Sequence, residues 1–181
     1  MGLRWSNSAI PGVHVGEAFA VTDFRGSFVK PWARSTAPVD LKLDEVFFSI
    51  SSRGVIRGMH VQIGGAAGHR LVFVTHGSAR DFVMDLRVGS PTFGDVLETL
   101  LEPGGRCLVI PPGCAHGFES LVDGTMMVYV QEGEHDVELD VGVHWTSCRL
   151  APTTDQPVVS ERDDGLPHFS DFKSSFVWTP S

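Results

Sequence analysis

The sequence predicts an all-β protein, built as a sandwich or a barrel. Glycine (20 residues) and proline (11 residues) are frequent in a chain of 181 residues, which favours a fold rich in turns. Short apolar runs show the period of two that is typical of strands. These runs follow one another at short intervals, as they do in β-sandwiches and barrels. The length fits a single domain over residues 1–181.

The first clear pair of strands is predicted within residues 69–87, on either side of Gly77 and Ser78. Phe82, Met84 and Leu86 recur with a spacing of two, which places their side chains on one face of a strand. Glycine and serine interrupt the apolar run before them, and this composition is typical of a turn.

Three further strands follow a predicted turn over residues 89–94 (GSPTFG). The pattern of residues 95–103 (DVLETLLEP) fits a helix or a strand, and the two glycines that follow at once favour a strand. Residues 106–113 (RCLVIPPG) and 124–133 (GTMMVYVQEG) are short apolar runs bounded by glycine or proline, which favours strands there as well.

The chain becomes more polar from about Pro152 onward. Residues 160–176 (SERDDGLPHFSDFKSSF) carry scattered aromatic residues, and a short helix there would be interrupted at Gly165 and Pro167. We therefore expect a short, partly helical C-terminal segment.

Charge and composition restrict the possible partners and the compartment. A formal net charge of -8 argues against a nucleic-acid surface and an anionic membrane surface, because both attract basic proteins. Three cysteines, Cys107, Cys114 and Cys148, argue against a disulfide framework and fit a reducing compartment. The first residues lack the apolar core of a signal peptide, and no apolar run is long enough to cross a bilayer. We expect a cytoplasmic protein.

Three histidines raise the question of a metal site: His60, His69 and His116. A metal site in a small β-barrel would need two histidines one residue apart on a strand, with a carboxylate a few residues on. His60 has no such partner, and no Asp or Glu occurs between His60 and Arg80. Two nearby cations, Arg57 and Arg70, favour an anion over a metal ion. We expect no metal.

Five polar side chains fall on successive predicted strands and could face one cavity: Arg57, His60, Arg70, His116 and Tyr129. Arginines in an apolar interior need anionic partners, which the phosphates of a ligand would supply. Taken singly, His60 could also be a half-buried structural histidine, and Tyr129 could be an aromatic residue of the barrel wall.

Several motifs occur together in the order found in one enzyme family. GVIRGMHVQ, DFVMDLRVGSPTFG, IPPGCAHGF and SERD, preceded by DFRGSF at residues 23–28, resemble the dTDP-4-dehydrorhamnose 3,5-epimerase family over about residues 20–165. The resemblance implies a cupin jelly roll, that is, a double-stranded β-helix, which forms a homodimer and works without metal or cofactor. It implies a nucleotide-diphosphate sugar as substrate, with epimerisation beside the ketone of a 4-keto-6-deoxysugar.

The same resemblance implies roles for the matching residues. His60 would remove the proton beside the ketone, Asp163 would hold the tautomer of His60, and Tyr129 would deliver a proton from the opposite face. Arg57 and His116 would bind the sugar and diphosphate, and Arg25 would reach the neighbouring site of the dimer. Phe28 and Gln62 lie in matched segments and are assigned to substrate binding. These roles suit the chemistry, because a histidine is a base near neutral pH and the resulting enolate is stabilised by positive charge in a dry pocket.

Four assigned substrate-binding positions depart from the pattern of the family. Arg70 stands where a lysine is usual, which keeps the charge but changes its shape. Phe47 replaces an asparagine near the nucleotide, Lys30 replaces a glutamate, and His135 replaces an aromatic residue that stacks on the base. The nucleotide, the sugar, and the choice between C3, C5 or both therefore stay open.

Three alternatives are compatible with the same sequence. A metal-free ketoisomerase would move the ketone from C4 to C3 through the same enolate. A non-catalytic protein would bind a sugar nucleotide without exchanging its ring protons. A metal-dependent cupin would contain a stoichiometric metal ion.

Overall fold

Two antiparallel β-sheets face each other in the computed structural model, which describes residues 2–148 and 151–180. The strands are β1 (Arg4–Asn7), β2 (His14–Glu17), β3 (Phe19–Asp23), β4 (Gly26–Lys30), β5 (Glu45–Ser51), β6 (Ile56–Gln62), β7 (Arg70–His76), β8 (Ala79–Asp85), β9 (Val96–Leu101), β10 (Arg106–Ile110), β11 (Cys114–Ser120), β12 (Thr125–Gln131) and β13 (Asp140–Gly142). One α-helix, α1 (Glu161–Asp164), and three 3-10 turns (Arg34–Thr36, Gly64–Ala66 and Trp145–Cys148) complete the described elements.

The strand order makes this a jelly roll, as predicted. One sheet has the order β1-β2-β10-β7-β12-β5, the other has the order β13-β6-β11-β8-β9, and β3 pairs with β4 in a separate hairpin. Consecutive strands β7 and β8 lie in different sheets, so the predicted break at Gly77 and Ser78 carries the chain from one sheet to the other. No helix within the described ranges is long and apolar enough to span a bilayer.

The predicted elements are confirmed. The ambiguous run DVLETLLEP contains strand β9, and the turn predicted over GSPTFG connects β8 to β9. Helix α1 is a single turn, and Gly165 follows it directly as its C-cap. All three cysteines are buried and unpaired.

The core lies between the two sheets and is apolar. Inward-facing side chains from both sheets are fully buried there, including Val72, Val83, Leu108, Phe118 and Met127. Burial of such side chains is the main source of stability in a sandwich of this kind. This closed core occupies one part of the interior, and polar side chains line the remainder.

Strand β5 is an edge strand whose outward face is apolar. Along it, exposed and half-buried residues alternate, and Val46, Phe48 and Ile50 are 57%, 60% and 56% exposed. The hairpin of β3 and β4 is also exposed on nearly every residue, with Phe24 at its tip. These two features leave a large apolar surface on the single chain.

The C-terminal segment crosses the five-stranded sheet and fixes helix α1 against β6. Val158 accepts a hydrogen bond from the amide of Ile56 and donates one to the carbonyl of Gly54. Further along, Phe169, Phe172 and Phe176 pack on a second buried cluster of that sheet. The segment therefore places α1 beside β6, at the open end of the space between the two sheets, although the two elements are distant in sequence.

Gly58 lets strands β6 and β11 approach closely. It adopts a φ of +107°, and a Cβ at this position would lie 2.6 Å from the carbonyl oxygen of His116. The backbone of β11 occupies the space beside this glycine. Both the conformation and the space therefore require glycine.

Replacing Gly58 with alanine should destabilise the protein strongly, because the new methyl group would both strain the backbone and collide with β11. We expect a loss of about 2 kcal/mol or more in the free energy of unfolding, measured by urea denaturation. Gly89→Ala is the matched control: Gly89 has a φ of +85° but nothing within 4 Å of its Cβ position. Equal losses for the two variants would show that the close approach of β11 is unimportant.

Candidate active site

An open cavity of about 250 Å³ lies between the two sheets at one end of the roll. The five side chains predicted to converge all line it: Arg57, His60, Arg70, His116 and Tyr129. They come from four strands, β6 and β11 of one sheet and β7 and β12 of the other. The predicted convergence is therefore confirmed.

His60 is paired with the carboxylate of Asp163. Its Nε2 lies 2.7 Å from Asp163 Oδ1, and the side chain of His60 is 23% exposed, towards the cavity. Among the residues the structure describes, the Nδ1 atom of His60 has no hydrogen-bond partner. If Nε2 carries the proton donated to Asp163, Nδ1 is left as a base.

Asp163 is a buried carboxylate with three local restraints. Its Oδ2 accepts a hydrogen bond of 3.0 Å from the amide of Gly58, and its own amide donates to the Ser160 hydroxyl, which caps helix α1. Burial raises the pKa of Asp163, but the hydrogen bonds from His60 and Gly58 outweigh it and hold the pKa below its usual value. The carboxylate is therefore ionised and fixed in place.

His116 belongs to a second, more deeply buried pair. Its Nε2 lies 2.7 Å from Asp81 Oδ2, and both side chains are almost inaccessible. Burial raises the pKa of Asp81, and His116 opposes that rise. His116 stands directly opposite His60 on the paired strands β11 and β6, so the two histidines are neighbours across the ladder.

Tyr129 contributes a phenol to the cavity from the opposite sheet. Burial raises the pKa of Tyr129 to about 12, and the neighbouring Ser49 hydroxyl and the positive charges of Arg70 and Arg57 oppose that rise. The phenol therefore keeps its proton at neutral pH. Its ring stacks on Phe47, with centroids 4.7 Å apart and an interplanar angle of 12°.

Three arginines give the cavity its positive charge. Arg57 donates to the Ser51 hydroxyl, and Arg70 donates to the side-chain oxygen of Gln131. Burial lowers the pKa of Arg70, which nevertheless stays charged at neutral pH. The third, Arg162, completes a cation cluster suited to a diphosphate.

Sequence reasoning did not assign Arg162 or its partner Asp140 to the site. Arg162 donates to Asp140 Oδ2 over 2.7 Å, and both residues line the cavity. The motif SERD, which identified Asp163, also contains Arg162, so its position beside Asp163 could have pointed to it. Ser49 lines the cavity as well, and its buried hydroxyl has no hydrogen-bond partner among the described residues.

Phe47, His135 and Gln62 lie at one side of the cavity. Phe47 and His135 line it, with ring centroids 6.4 Å apart. Gln62 does not line it: the amide nitrogen of Gln62 lies 3.2 Å from His135 Nδ1, and its oxygen accepts from the Asp136 amide. Within one chain, Gln62 therefore holds His135 and the following residue by hydrogen bonds and does not itself line the cavity.

Arg25, Phe28 and Lys30 lie outside the cavity of their own chain. All three are on the exposed hairpin of β3 and β4, where Arg25 pairs with Asp23 over 2.6 Å and Lys30 Nζ lies 6.0 Å from the ring centre of Phe28.

Over residues 2–148 and 151–180, the structure brings together no group of three His, Cys, Asp or Glu side chains able to hold a metal ion.

Solved structures with this fold define the class of protein as a sugar epimerase, a kind of isomerase. NovW, a 4-keto-6-deoxy sugar epimerase from Streptomyces spheroides, is 29% identical and superposes with a TM-score of 0.89 over 94% of this chain and 89% of its own. The dTDP-4-dehydrorhamnose 3,5-epimerase of Bacillus anthracis, solved with TDP and PPi bound, is 28% identical, with a TM-score of 0.86 over 92% of this chain and 99% of its own.

The family model described as dTDP-4-dehydrorhamnose 3,5-epimerase matches residues 7–171. A protein of that name from Pseudomonas aeruginosa is 36% identical over 179 residues, which cover 93% of this chain and 97% of the relative. The chain belongs to the dTDP-4-dehydrorhamnose 3,5-epimerase family, as the motifs predicted.

The pairing of Asp163 with His60 should make part of the stability depend on pH. Asp163→Asn should lower the free energy of unfolding at pH 7 by about 1–3 kcal/mol, because a charged buried hydrogen bond is lost. Since the folded-state pKa of Asp163 lies below its unfolded value of about 3.9, the wild-type advantage is fully present above about pH 5. It is lost as the pH falls through the folded-state pKa.

Urea denaturation of both proteins between about pH 3 and pH 7 measures this difference. A difference that stays constant down to the lowest pH would show that Asp163 is not the ionised partner of His60.

Proposed function

We propose that this protein epimerises C3, C5 or both in a nucleotide-diphospho-4-keto-6-deoxysugar, in deoxysugar and cell-surface polysaccharide biosynthesis. The observation that carries the proposal is the placement of a base and an acid on opposite walls of one cavity. His60 belongs to the five-stranded sheet and Tyr129 to the six-stranded sheet. Inversion of a carbon needs a proton to leave from one face and another to arrive on the other face.

The reaction begins at His60. Its Nδ1 removes the proton from a carbon beside the ketone, and the electron pair delocalises onto the ketone oxygen as an enolate. Asp163 stabilises the imidazolium that results. Arg70, half-buried at the cavity wall, stabilises the negative oxygen in place of the lysine that is usual in the family. Tyr129 then donates its proton to the opposite face of the carbon and recovers a proton from solvent.

The remaining cations bind the diphosphate. Arg57 and Arg162 offer forked donors, which match phosphate oxygens well. His116, fixed by Asp81, contacts the sugar, and Phe47 and His135 lie towards the nucleotide. The Pseudomonas aeruginosa relative is named a dTDP-4-dehydrorhamnose 3,5-epimerase, so a dTDP-linked 4-keto-6-deoxyhexose is the first substrate to test.

We further propose that the whole chain works as one domain in a cytoplasmic homodimer. Arg25, Phe28 and Lys30 are exposed on a hairpin that does not line the cavity of their own chain, and in the dimer they would complete the cavity of the second copy. The apolar outer face of β5 provides a surface for that copy to cover. Arg25 then reaches the diphosphate in the neighbouring subunit.

Proton exchange in D2O tests the reaction. The wild type, incubated with dTDP- and GDP-linked 4-keto-6-deoxyhexoses, should exchange the C3 proton, the C5 proton or both, as followed by NMR. His60→Asn should slow this exchange by about 100-fold or more, because the base is lost. Turnover within a few fold of the wild type would mean that His60 is not the base.

The same spectra separate the alternatives. A ketoisomerase would return the proton to C4 and yield a 3-keto product, and a binding protein would leave every ring proton in place. Elemental analysis of the purified protein tests for the metal-dependent alternative.

Complementation between two inactive variants tests whether Arg25 acts in the site of the neighbouring subunit. Arg25→Ala and His60→Asn should each be poorly active alone. Co-expressed, about half of randomly assembled dimers are mixed, and each mixed dimer regains one complete site, so about a quarter of wild-type activity should return. If the mixture stays as inactive as its parents, Arg25 does not act across the dimer.

A further inference from the structure

The ring of Tyr129 is held on two sides. Phe47 stacks on one face at 4.7 Å with nearly parallel planes, and His116 meets the ring edge-on, with centroids 5.8 Å apart and an interplanar angle of 78°. His116 is itself fixed by its bond to buried Asp81. Both contacts use geometries that aromatic pairs prefer. The orientation of the Tyr129 ring therefore depends on its two neighbours.

Phe47 is the neighbour that pairs directly with Tyr129. The two residues are Cα partners on the adjacent antiparallel strands β5 and β12, so their side chains project from the same face. Phe47 also packs against the buried core cluster that includes Tyr129. One face of the Phe47 ring is covered by Tyr129 and is not available to a ligand.

Ser49 extends the same arrangement along β5. It lies two residues from Phe47, on the same side of the strand, and its hydroxyl is buried in the cavity wall without a hydrogen-bond partner among the described residues. A phenol that swung away from its position would leave this polar group and the Phe47 ring uncovered. Strand β5 thus contributes two side chains, Phe47 and Ser49, beside the ring of Tyr129.

We propose that Phe47 is a positioning residue that holds Tyr129 for proton delivery and so decides whether deprotonation ends in inversion. The inference rests on the proposed function and deepens it. A phenol that keeps its proton is an effective acid only if its oxygen is held within about 0.5 Å of the position from which it can protonate the carbon. Stacking on Phe47 removes the ring motion that would spoil this alignment.

The chemistry separates the two outcomes of one enolate. His60 removes a proton from the carbon, exchanges it with solvent, and can return a deuteron to the same face, which labels the substrate without changing its configuration. Alternatively Tyr129 donates to the opposite face, the carbon is inverted, and the tyrosinate is reprotonated by solvent while His60 releases its proton. If Tyr129 loses its alignment, inversion should be lost, whereas exchange with retained configuration should remain.

Phe47 variants in D2O test this inference, with dTDP-linked 4-keto-6-deoxyglucose as the substrate. Phe47→Asn, which removes the ring, should lower the ratio of inversion to exchange with retained configuration by about tenfold or more relative to the wild type, at saturating substrate. Phe47→Leu, which keeps most of the apolar volume, should show the same split. Phe47→Tyr, which keeps a ring to stack, should restore inversion.

Tyr129→Phe supplies the reference for a lost acid. It should exchange without inverting, and adding Phe47→Asn to it should cause no further loss of inversion, because both changes act on one step. Retained exchange in each variant also shows that its cavity has folded.

Two results would overturn the inference. Equal losses of exchange and inversion in Phe47→Leu, with a raised KM, would mean that Phe47 serves substrate binding. Unchanged inversion in both Phe47→Asn and Phe47→Leu would mean that Tyr129 needs no support from this ring. Failure of the proposed function looks different, because the wild type itself would then exchange no ring proton.

Discussion

The buried carboxylate of Asp163 is the interaction on which the site depends. An ionised group in the interior is tolerated only when its oxygens are hydrogen-bonded, and here His60 and the amide of Gly58 satisfy both. These two donors lie on β6, whereas the carboxylate comes from the C-terminal segment. A single side chain therefore joins helix α1 to strand β6 and orients His60.

The jelly roll contributes the second constraint, which is the opposition of its two sheets. Side chains that point inward from β6 and β11 face those of β7 and β12 across the interior. Where both sets are apolar they form the core, and where they are polar they form the cavity. The architecture therefore sets His60 and Tyr129 on opposite walls of the cavity, as the proposed mechanism requires, and arginines on both walls give the cavity positive charge.

Much of this arrangement could be predicted from the sequence, and the reasons for the rest are physical. Apolar runs on either side of Gly77 and Ser78 predicted β7 and β8, and neighbouring glycines or prolines predicted strands at β9, β10 and β12. The identity of Asp163 came from a motif, since no local rule connects residues 60 and 163. The stacking of Phe47 on Tyr129 and the burial of Asp81 beside His116 depend on strand register, which pairs residues distant in sequence. The hairpin that keeps Arg25 out of its own cavity is likewise a property of the packed chain.

The apolar edge of β5 has a consequence for the life of the protein before assembly. An unpaired edge strand carrying Val46, Phe48 and Ile50 on its outer face is a template on which other chains can add strands. A newly synthesised chain is therefore at risk of aggregation while that edge is uncovered. The homodimer proposed above would cover it, and the apparent stability of the protein would then rise with its concentration by mass action. Dilution would expose the edge again.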